Sequence, residues 1–442
     1  MRAVSLAWLL GKPTADRRGP LLLTAGSYAL VSALVLTVTA GALSFTRIQN
    51  DLTGLYQTLA GLAVVLLLVP LAVLGAAAAR LSARSQDTRL STVRLLGGTP
   101  GLVIAMTMIE SSATALVGAV GGVLIYAGLA PVVGLIQFQG SAIGAAMWLN
   151  PGIIAVVVLA VVLVAAFSAS VGLRKIIVSP LGVRNRNTTP KPRWIRALIV
   201  VALIAMITLA FSQLSAFQSL AVVIGVLLGG FALGLGALNL IGPWAVGLIG
   251  KRKLKAAQKP ADLLAARMIL ENPAQAWRQV SGIAMTSFVA VVGGSGAALM
   301  RTTGVESDPG SPDALLSADV MTGVLITIAV SFISVACSTA ITQAAATLDR
   351  AELYAGLGRL GMEPATMERA RVGSVMGPVL GVGIGAIIVS AALVFPLAGM
   401  AIIFAPLSVA IILLTLAAGV LAVRGAVALT PVRGALSRST SA

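Results

Sequence analysis

The stretch LGRLGMEPATMERARVGSVMGPVLGVGIGAIIVSAALVFPL, residues 357–397, changes character near its middle. All of its charged side chains lie in the first part, and residues 374–397 carry none. A helix that spans a bilayer needs roughly 20 mostly apolar residues. The stretch therefore predicts a polar loop that leads directly into a membrane span.

The same alternation recurs along the whole chain of 442 residues. Hydrophobic residues make up 58% of the sequence and charged residues 10%, whereas a soluble domain carries about 25% charged residues. We therefore predict an all-α integral membrane protein with about ten transmembrane helices. The apolar runs cover residues 21–45, 55–79, 102–135, 152–173, 195–212, 218–249, 279–300, 320–344, 374–397 and 407–423.

Arginine and lysine occur almost only in every second loop, an excess that is typical of cytoplasmic loops. We expect a multi-pass protein of the cell (plasma) membrane with both termini in the cytoplasm. Because this rule accounts for the net charge of +17, we expect contact with anionic membrane lipids and no nucleic acid partner. The basic bands, which hold 29 of the 31 Lys and Arg residues, are 1–20, 80–101, 174–196, 250–278, 345–373 and 424–442.

Catalytic and metal-binding patterns are absent from the sequence. The chain has no histidine and one cysteine, Cys337, so neither a metal site nor an internal disulfide is expected. No GxxxxGK[ST] segment is present to cradle a nucleotide phosphate. We expect a non-catalytic chain without a metal or cofactor of its own.

Three short motifs occur twice in the same order. LAWLLGKP at 6–13 is matched by LLAARMILENP at 263–273, VRLLGGTPG at 93–101 by GRLGMEPA at 358–365, and VSPLGVR at 178–184 by LTPVRG at 429–434. Such duplication indicates an internal repeat. We predict a first repeat over 1–190, two linking spans over 191–258 and a second repeat over 259–442, each repeat with four spans.

Each repeat opens with a segment of about ten residues, which is too short to span a bilayer. We expect both segments to lie along the inner leaflet as interfacial helices. Trp8 and Trp277 are expected at the membrane edge of these segments.

The loops 80–101 and 345–373 are equivalent in the two repeats. Each is expected to continue a span as a polar helix, to turn at Gly97-Gly98 or Gly361, and then to re-enter the membrane. A solvated helix-turn and a docking element for a cytoplasmic motor both fit this pattern. Two equivalent copies would suit a two-fold symmetric partner.

These motifs resemble those of the FtsX-like permease family of ABC transporters. Repeats of that family begin with an interfacial helix ending in Asn-Pro or Arg-Pro, turn at a glycine after the second span, and close with a Pro…Arg motif. The corresponding segments here are ILENP at 269–273, VRLLGG at 93–98 with LGRLG at 357–361, and SPLGVR at 179–184 with TPVRG at 430–434. The order of four, two and four spans is similar to that of the BceB-type branch, but the large extracellular domain of that branch is replaced by residues 301–319.

The resemblance implies a bacterial permease subunit, with ATP and magnesium bound by a separate cytoplasmic ABC ATPase dimer. It implies efflux or membrane extraction of a hydrophobic or amphipathic compound, such as a drug, an antimicrobial peptide or a lipid-linked envelope component, and a role in antimicrobial resistance. The alternative is an FtsX-like signalling or mechanotransmission protein that acts on cell-envelope enzymes or a sensor kinase. The ATPase-coupling residues implied by the resemblance are Arg89, Arg94, Gly97, Gly98, Glu352, Arg359 and Gly361.

Glu110 is the one acidic residue predicted within or near an apolar run. A charge at such a depth is costly and often functional. Structural pairing near the inner boundary, a transmission or gating role, and proton coupling all remain open for this residue.

Small residues form rows inside two apolar runs. Gly377, Gly381 and Gly385 recur every four residues, and Gly118 and Gly122 lie in the equivalent run of the first repeat. This spacing lets two membrane helices approach closely and therefore predicts helix packing.

The loop 301–319 is the most acidic of the predicted outer loops. It carries Glu306, Asp308, Asp313 and Asp319. We predict either a solvated connector or a contact surface for a substrate or outer partner.

Overall fold

The computed structural model describes residues 18–47, 53–84, 100–178, 220–305 and 312–428, and in addition 198, 201–203, 205, 206 and 209. Within these residues, nine helices are long and apolar enough to cross a membrane. The prediction of an all-α, multi-pass membrane protein is confirmed at this level. The predicted run 195–212 lies largely outside the described residues, and the first interfacial segment lies entirely outside them.

The helices account for almost all of the described chain. Two short 3₁₀ segments, Phe45–Arg47 and Gly144–Met147, and one hairpin of strands β1 (Gln137–Phe138) and β2 (Ser141–Ala142) interrupt them. In chain order the helices are α1 (Arg18–Ser44), α2 (Thr53–Arg84), α3 (Pro100–Val133), α4 (Pro151–Val178), α5 (Leu220–Ala256), α6 (Pro260–Glu271), α7 (Pro273–Val305), α8 (Pro312–Asp349), α9 (Ala351–Arg359), α10 (Pro364–Leu393), α11 (Phe395–Phe404) and α12 (Pro406–Ala428).

Proline begins many of these helices. Its fixed φ suits the first helical turn, where its missing N–H is not needed. Pro100 and Pro364, which the repeated motif places opposite each other, begin α3 and α10. Pro273 begins α7, and the preceding Asn272 separates α7 from α6, with its side-chain oxygen accepting the backbone N–H of Gln275 at 3.0 Å. The Asn-Pro pair is therefore a helix stop followed directly by a helix start.

The chain folds into two compact units, residues 1–187 with 340–345, and residues 188–339 with 346–442. In the first unit α3 packs along α1 and α4, and α2 contacts α1 and α4. At the end of α3, Tyr126 donates a hydrogen bond to the Met147 carbonyl (2.5 Å) and accepts one from the Leu149 N–H (3.0 Å). These bonds fasten the polypeptide that follows the small hairpin to the helix bundle.

Helix α7 is the centre of the second unit. It has the largest buried share of the nine candidate spans, 72%, and it contacts α5, α10, α11 and α12. Apolar side chains from six helices, among them Ile283, Phe288, Phe332 and Val379, form the core around it. Helix α5 packs against α6, α7 and α10 and so is an integral part of this unit.

Contacts with neighbouring helices decide which side chains are buried in and beside the second interfacial segment. Trp277 is 3% exposed, and its indole N–H donates to the side-chain oxygen of Asn239 at 2.8 Å, so its ring packs within the protein. Helix α6 buries Ala265, Ala266 and Ile269, whereas Leu263 remains 49% exposed. Its buried face is thus set by contacts with α5 and α10.

The acidic connector and the linker between the halves are also more helical than predicted. Helix α7 continues to Val305 and α8 begins at Pro312, so Asp319 lies in a helix and is 7% exposed. Helix α5 extends to Ala256, and the Lys253 ammonium donates to the Gly373 carbonyl at 3.0 Å. Neither Asp319 nor Lys253 is a solvated loop charge.

Candidate coupling element

The predicted turn at Gly361 is confirmed. Helix α9 ends at Arg359, and Gly361 follows with φ +86°, a value that glycine adopts without strain. The N–H of Met362 donates to the Leu357 carbonyl at 3.0 Å, and the N–H of Gly361 to the Gly358 carbonyl at 2.9 Å. This pair of bonds is a Schellman motif, which satisfies the terminal carbonyls of a helix. The turn therefore reverses the chain sharply between α9 and α10.

A small apolar cluster holds α9 against α10. Tyr354 and Met367, 2% and 0% exposed, lie at its centre, and Leu357 and Met362 pack against them. Burial raises the pKa of the Tyr354 phenol, while the adjacent Arg350 side chain, which is hydrogen-bonded to it, opposes that rise. The phenol consequently stays neutral at physiological pH. We call α9, the turn and the first two turns of α10 the elbow.

The elbow is joined to its neighbours by one ion pair and by its direct connection to α8. Arg350, between α8 and α9, lies 3.4 Å from the Glu271 carboxylate at the end of α6. Because Glu271 is 72% exposed, this pair contributes little to stability. Helix α8 is 38 residues long, or about 57 Å, whereas the apolar core of a bilayer is about 30 Å thick. Helix α8 is thus longer than the apolar core of a bilayer is thick, and the elbow follows directly at its end.

The side of α9 that faces away from α10 carries exposed apolar and basic side chains. Leu353 is 53% exposed and Leu360 84% exposed, and Arg359 beside Leu360 is also exposed. Glu352 lies in the first turn of α9. Leucines that leave more than half of their surface exposed, next to a cation, have the composition of a contact surface for another protein.

The equivalent loop of the first repeat lies outside the described residues. Arg89, Arg94, Gly97 and Gly98 all fall within 85–99, so their predicted coupling role stays a prediction.

Gly118 and Gly122 lie where α3 meets α1. A Cβ at Gly122 would lie 2.5 Å from the Ala29 carbonyl oxygen and 2.6 Å from the Ser32 Cβ. A Cβ at Gly118 would collide with the Ala25 carbonyl oxygen in the same way. The absence of a side chain at these two positions sets the separation of the two helices.

Two of the three glycines in the row of α10 lie at a contact between helices. Gly377 and Gly381 face α5, where added Cβ atoms would lie 2.5 Å from the Lys253 ammonium nitrogen and 2.6 Å from the Ile249 Cδ1. A Cβ at Gly385 would meet no described atom within 4 Å. The row therefore meets α5 at Gly377 and Gly381, and the packing role predicted for Gly385 stays a prediction.

Glu110 is partly buried on α3. Its backbone carbonyl accepts the Thr114 hydroxyl at 2.9 Å. Next to it, the hydroxyls of Ser111 and Ser82 lie 3.3 Å apart and join α3 to α2. A polar contact between α2 and α3 thus lies one residue from Glu110, and the predicted transmission role of Glu110 stays a prediction.

Arg371 is a residue whose placement the sequence did not reveal. Its position in a basic band predicts a loop charge, yet it is 2% exposed inside α10. Its guanidinium pairs with Glu368 at 2.5 Å and donates to the Val427 carbonyl at 2.9 Å. The signal that could have identified it is the Glu368 carboxylate three residues earlier, at the spacing of a helical ion pair.

No group of three His, Cys, Asp or Glu side chains that could hold a metal ion occurs in the described part of the chain. Comparisons with protein-family models, with curated proteins and with solved structures found no match for this chain.

Proposed function

We propose that this chain is the membrane subunit of an ATP-driven transporter of the FtsX-like type, energised by a separate cytoplasmic ATPase. The observation that carries the proposal is the elbow, a short helix at the end of a helix longer than a bilayer, with two exposed leucines and an exposed arginine on its outer side. An ATPase that seats on this side would bury the leucines and push on the α9–α10 reversal.

Two further features support the proposal. The basic bands favour a cytoplasmic position for the elbow, where ATP is available. Helices α3 and α10 begin at the aligned prolines Pro100 and Pro364, and the α1–α3 and α7–α10 contacts are the most extensive of their units. These correspondences favour two repeats of four spans, each with its own motor contact.

The proposed cargo is a hydrophobic or amphipathic compound exported or extracted from the membrane. The helices expose many large apolar side chains, such as Leu124 (72%) and Leu414 (69%), which suit contact with lipid or a lipid-like cargo. An FtsX-like signalling role would use the same elbow and ATPase. Transport of a fluorescent amphipathic dye in reconstituted vesicles with the ATPase and ATP would separate transport from signalling.

Purified to homogeneity, the chain is expected neither to bind nor to hydrolyse ATP, since its sequence has no phosphate-binding loop. Equilibrium binding of a fluorescent ATP analogue with magnesium checks this. Hydrolysis should appear only when the partner ATPase is added. Turnover that copurifies with this chain after every other protein has been removed would contradict the proposal.

Cysteine labelling is expected to place the hairpin outside and the end of α5 inside the cell. Ser141 and Lys255 both have exposed side chains, and the Cys337→Ser background removes the native thiol. A membrane-impermeant maleimide should label Ser141→Cys in intact cells and Lys255→Cys only after permeabilisation. Labelling of Lys255→Cys in intact cells would refute the predicted orientation, because the elbow and the ATPase would then lie on opposite sides of the membrane.

A further inference from the structure

Arg371 has the largest of the fully buried side chains in the described residues. It lies two turns into α10, close to the elbow. A charge taken out of water needs compensating partners, and the partners of Arg371 belong to two different helices.

The guanidinium joins α10 to the end of α12. Its Nη2 donates to the Glu368 carboxylate (2.5 Å) and to the Val427 carbonyl (2.9 Å), and its Nε donates to the other Glu368 oxygen (3.3 Å). Val427 is in the last turn of α12, where carbonyls lack a partner within their own helix and carry partial negative charge. Arg371 therefore caps the C-terminus of α12, and Glu368 balances the charge.

The same residues are in contact with the elbow. Met367, next to Glu368, packs on the buried Tyr354 of α9. Arg371 and Glu368 both act electrostatically on the Tyr354 phenol. A continuous series of contacts thus runs from α9 through the start of α10 to the end of α12.

The first half has no counterpart of this cap at the matching position. When Pro100 is aligned with Pro364, the position of Arg371 corresponds to Thr107, which is 1% exposed. A threonine hydroxyl is short and uncharged, so it cannot bridge a carboxylate and a distant helix end as a guanidinium does.

We propose that Arg371 is a positioning residue that passes displacement of the elbow to α12, a link that the matching residue of the first half, Thr107, does not provide. The proposal rests on the proposed function, in which an ATPase moves the elbow. Under this proposal the two halves respond differently to the ATPase, because in the second half α9, α10 and α12 move together.

The connection between the elbow and the end of α12 can be measured without the ATPase. Spin labels on Glu363→Cys and Ala428→Cys, both exposed positions, report the distance between the elbow and the end of α12 in the Cys337→Ser protein in lipid nanodiscs. Wild type should give a narrow distance distribution and Arg371→Met a broad one. Arg371→Lys should be intermediate, because lysine keeps the charge but lacks the planar fork. The control is Arg369→Met, an exposed arginine on the same helix, which should match wild type.

Transmission is measured with the ATPase bound and trapped with ATP and vanadate. Lys255→Cys on α5 serves as the reference position for separate pairs with Glu363→Cys and Ala428→Cys. In wild type and in Arg369→Met both distances should change. In Arg371→Met the elbow distance should still change, and the change at Ala428 should be lost.

A narrow distribution in both Arg371 variants, or an unchanged response of Ala428 in Arg371→Met, would overturn the proposal. Failure of the proposed function is a different result, because it appears in the wild type: no ATPase associates with the chain, whatever the width of the distance distributions. If Arg371 had a purely structural role, Arg371→Met would lower the yield of folded protein, and the distance changes at Glu363→Cys and Ala428→Cys would stay coupled. That outcome would also overturn the proposal.

Discussion

The double substitution Arg359→Glu with Leu360→Glu is expected to abolish ATPase capture by the elbow. Both side chains are exposed, and Leu360 buries almost none of its surface within the chain. Placing two carboxylates on a surface that an ATPase must bury should cost at least about 2 kcal/mol, the level of an interface hot spot. Association measured by copurification or microscale thermophoresis should therefore weaken by roughly 30-fold or more.

The control is Lys259→Glu with Leu263→Glu, which changes one exposed cation and one exposed leucine at the start of α6. This pair has the same chemistry and lies outside the elbow. Its ATPase affinity should stay close to that of wild type, and helix content should be unchanged in both double variants. An equal loss of ATPase affinity in the two double variants, or no loss in Arg359→Glu with Leu360→Glu, would mean that the exposed side of α9 does not contact the ATPase.

Gly122→Ala is expected to destabilise the first unit strongly for so small a substitution. The added methyl would lie 2.5 Å from the Ala29 carbonyl oxygen, which belongs to the backbone of α1 and cannot rotate away. Separating α1 from α3 should cost about 1–3 kcal/mol, as overpacking does elsewhere. The midpoint of thermal unfolding in detergent, followed by circular dichroism, checks this.

Gly128→Ala is the matched control on the same helix, because its Cβ would meet nothing within 4 Å in the described residues. Alanine is a better helix former than glycine by up to about 1 kcal/mol, so the midpoint should stay constant or rise. If Gly122→Ala and Gly128→Ala had the same midpoint of thermal unfolding, α1 and α3 would not meet at the separation found here.

Features that depend on neighbours in sequence were predictable from the sequence. The apolar runs predict the spans because a bilayer accepts only long apolar helices. Gly361 predicts the turn because few other residues adopt φ +86°. Pro364, and the Asn272-Pro273 pair, mark helix starts because their backbone chemistry acts locally.

The positions of individual side chains could be decided only by the tertiary structure. The sequence predicts loops or a membrane edge for the basic bands 250–278 and 345–373. Lys253, Trp277 and Arg371 lie in these bands, yet each is wholly or partly buried with a partner at least 38 residues away in sequence. Gly377 and Gly385 share one periodic row, but only the first meets a neighbouring helix among the described residues. Hydropathy and spacing determine that a segment is a membrane helix. Which of its faces is buried depends on the helices that pack beside it, and their contacts arise between residues far apart in the chain.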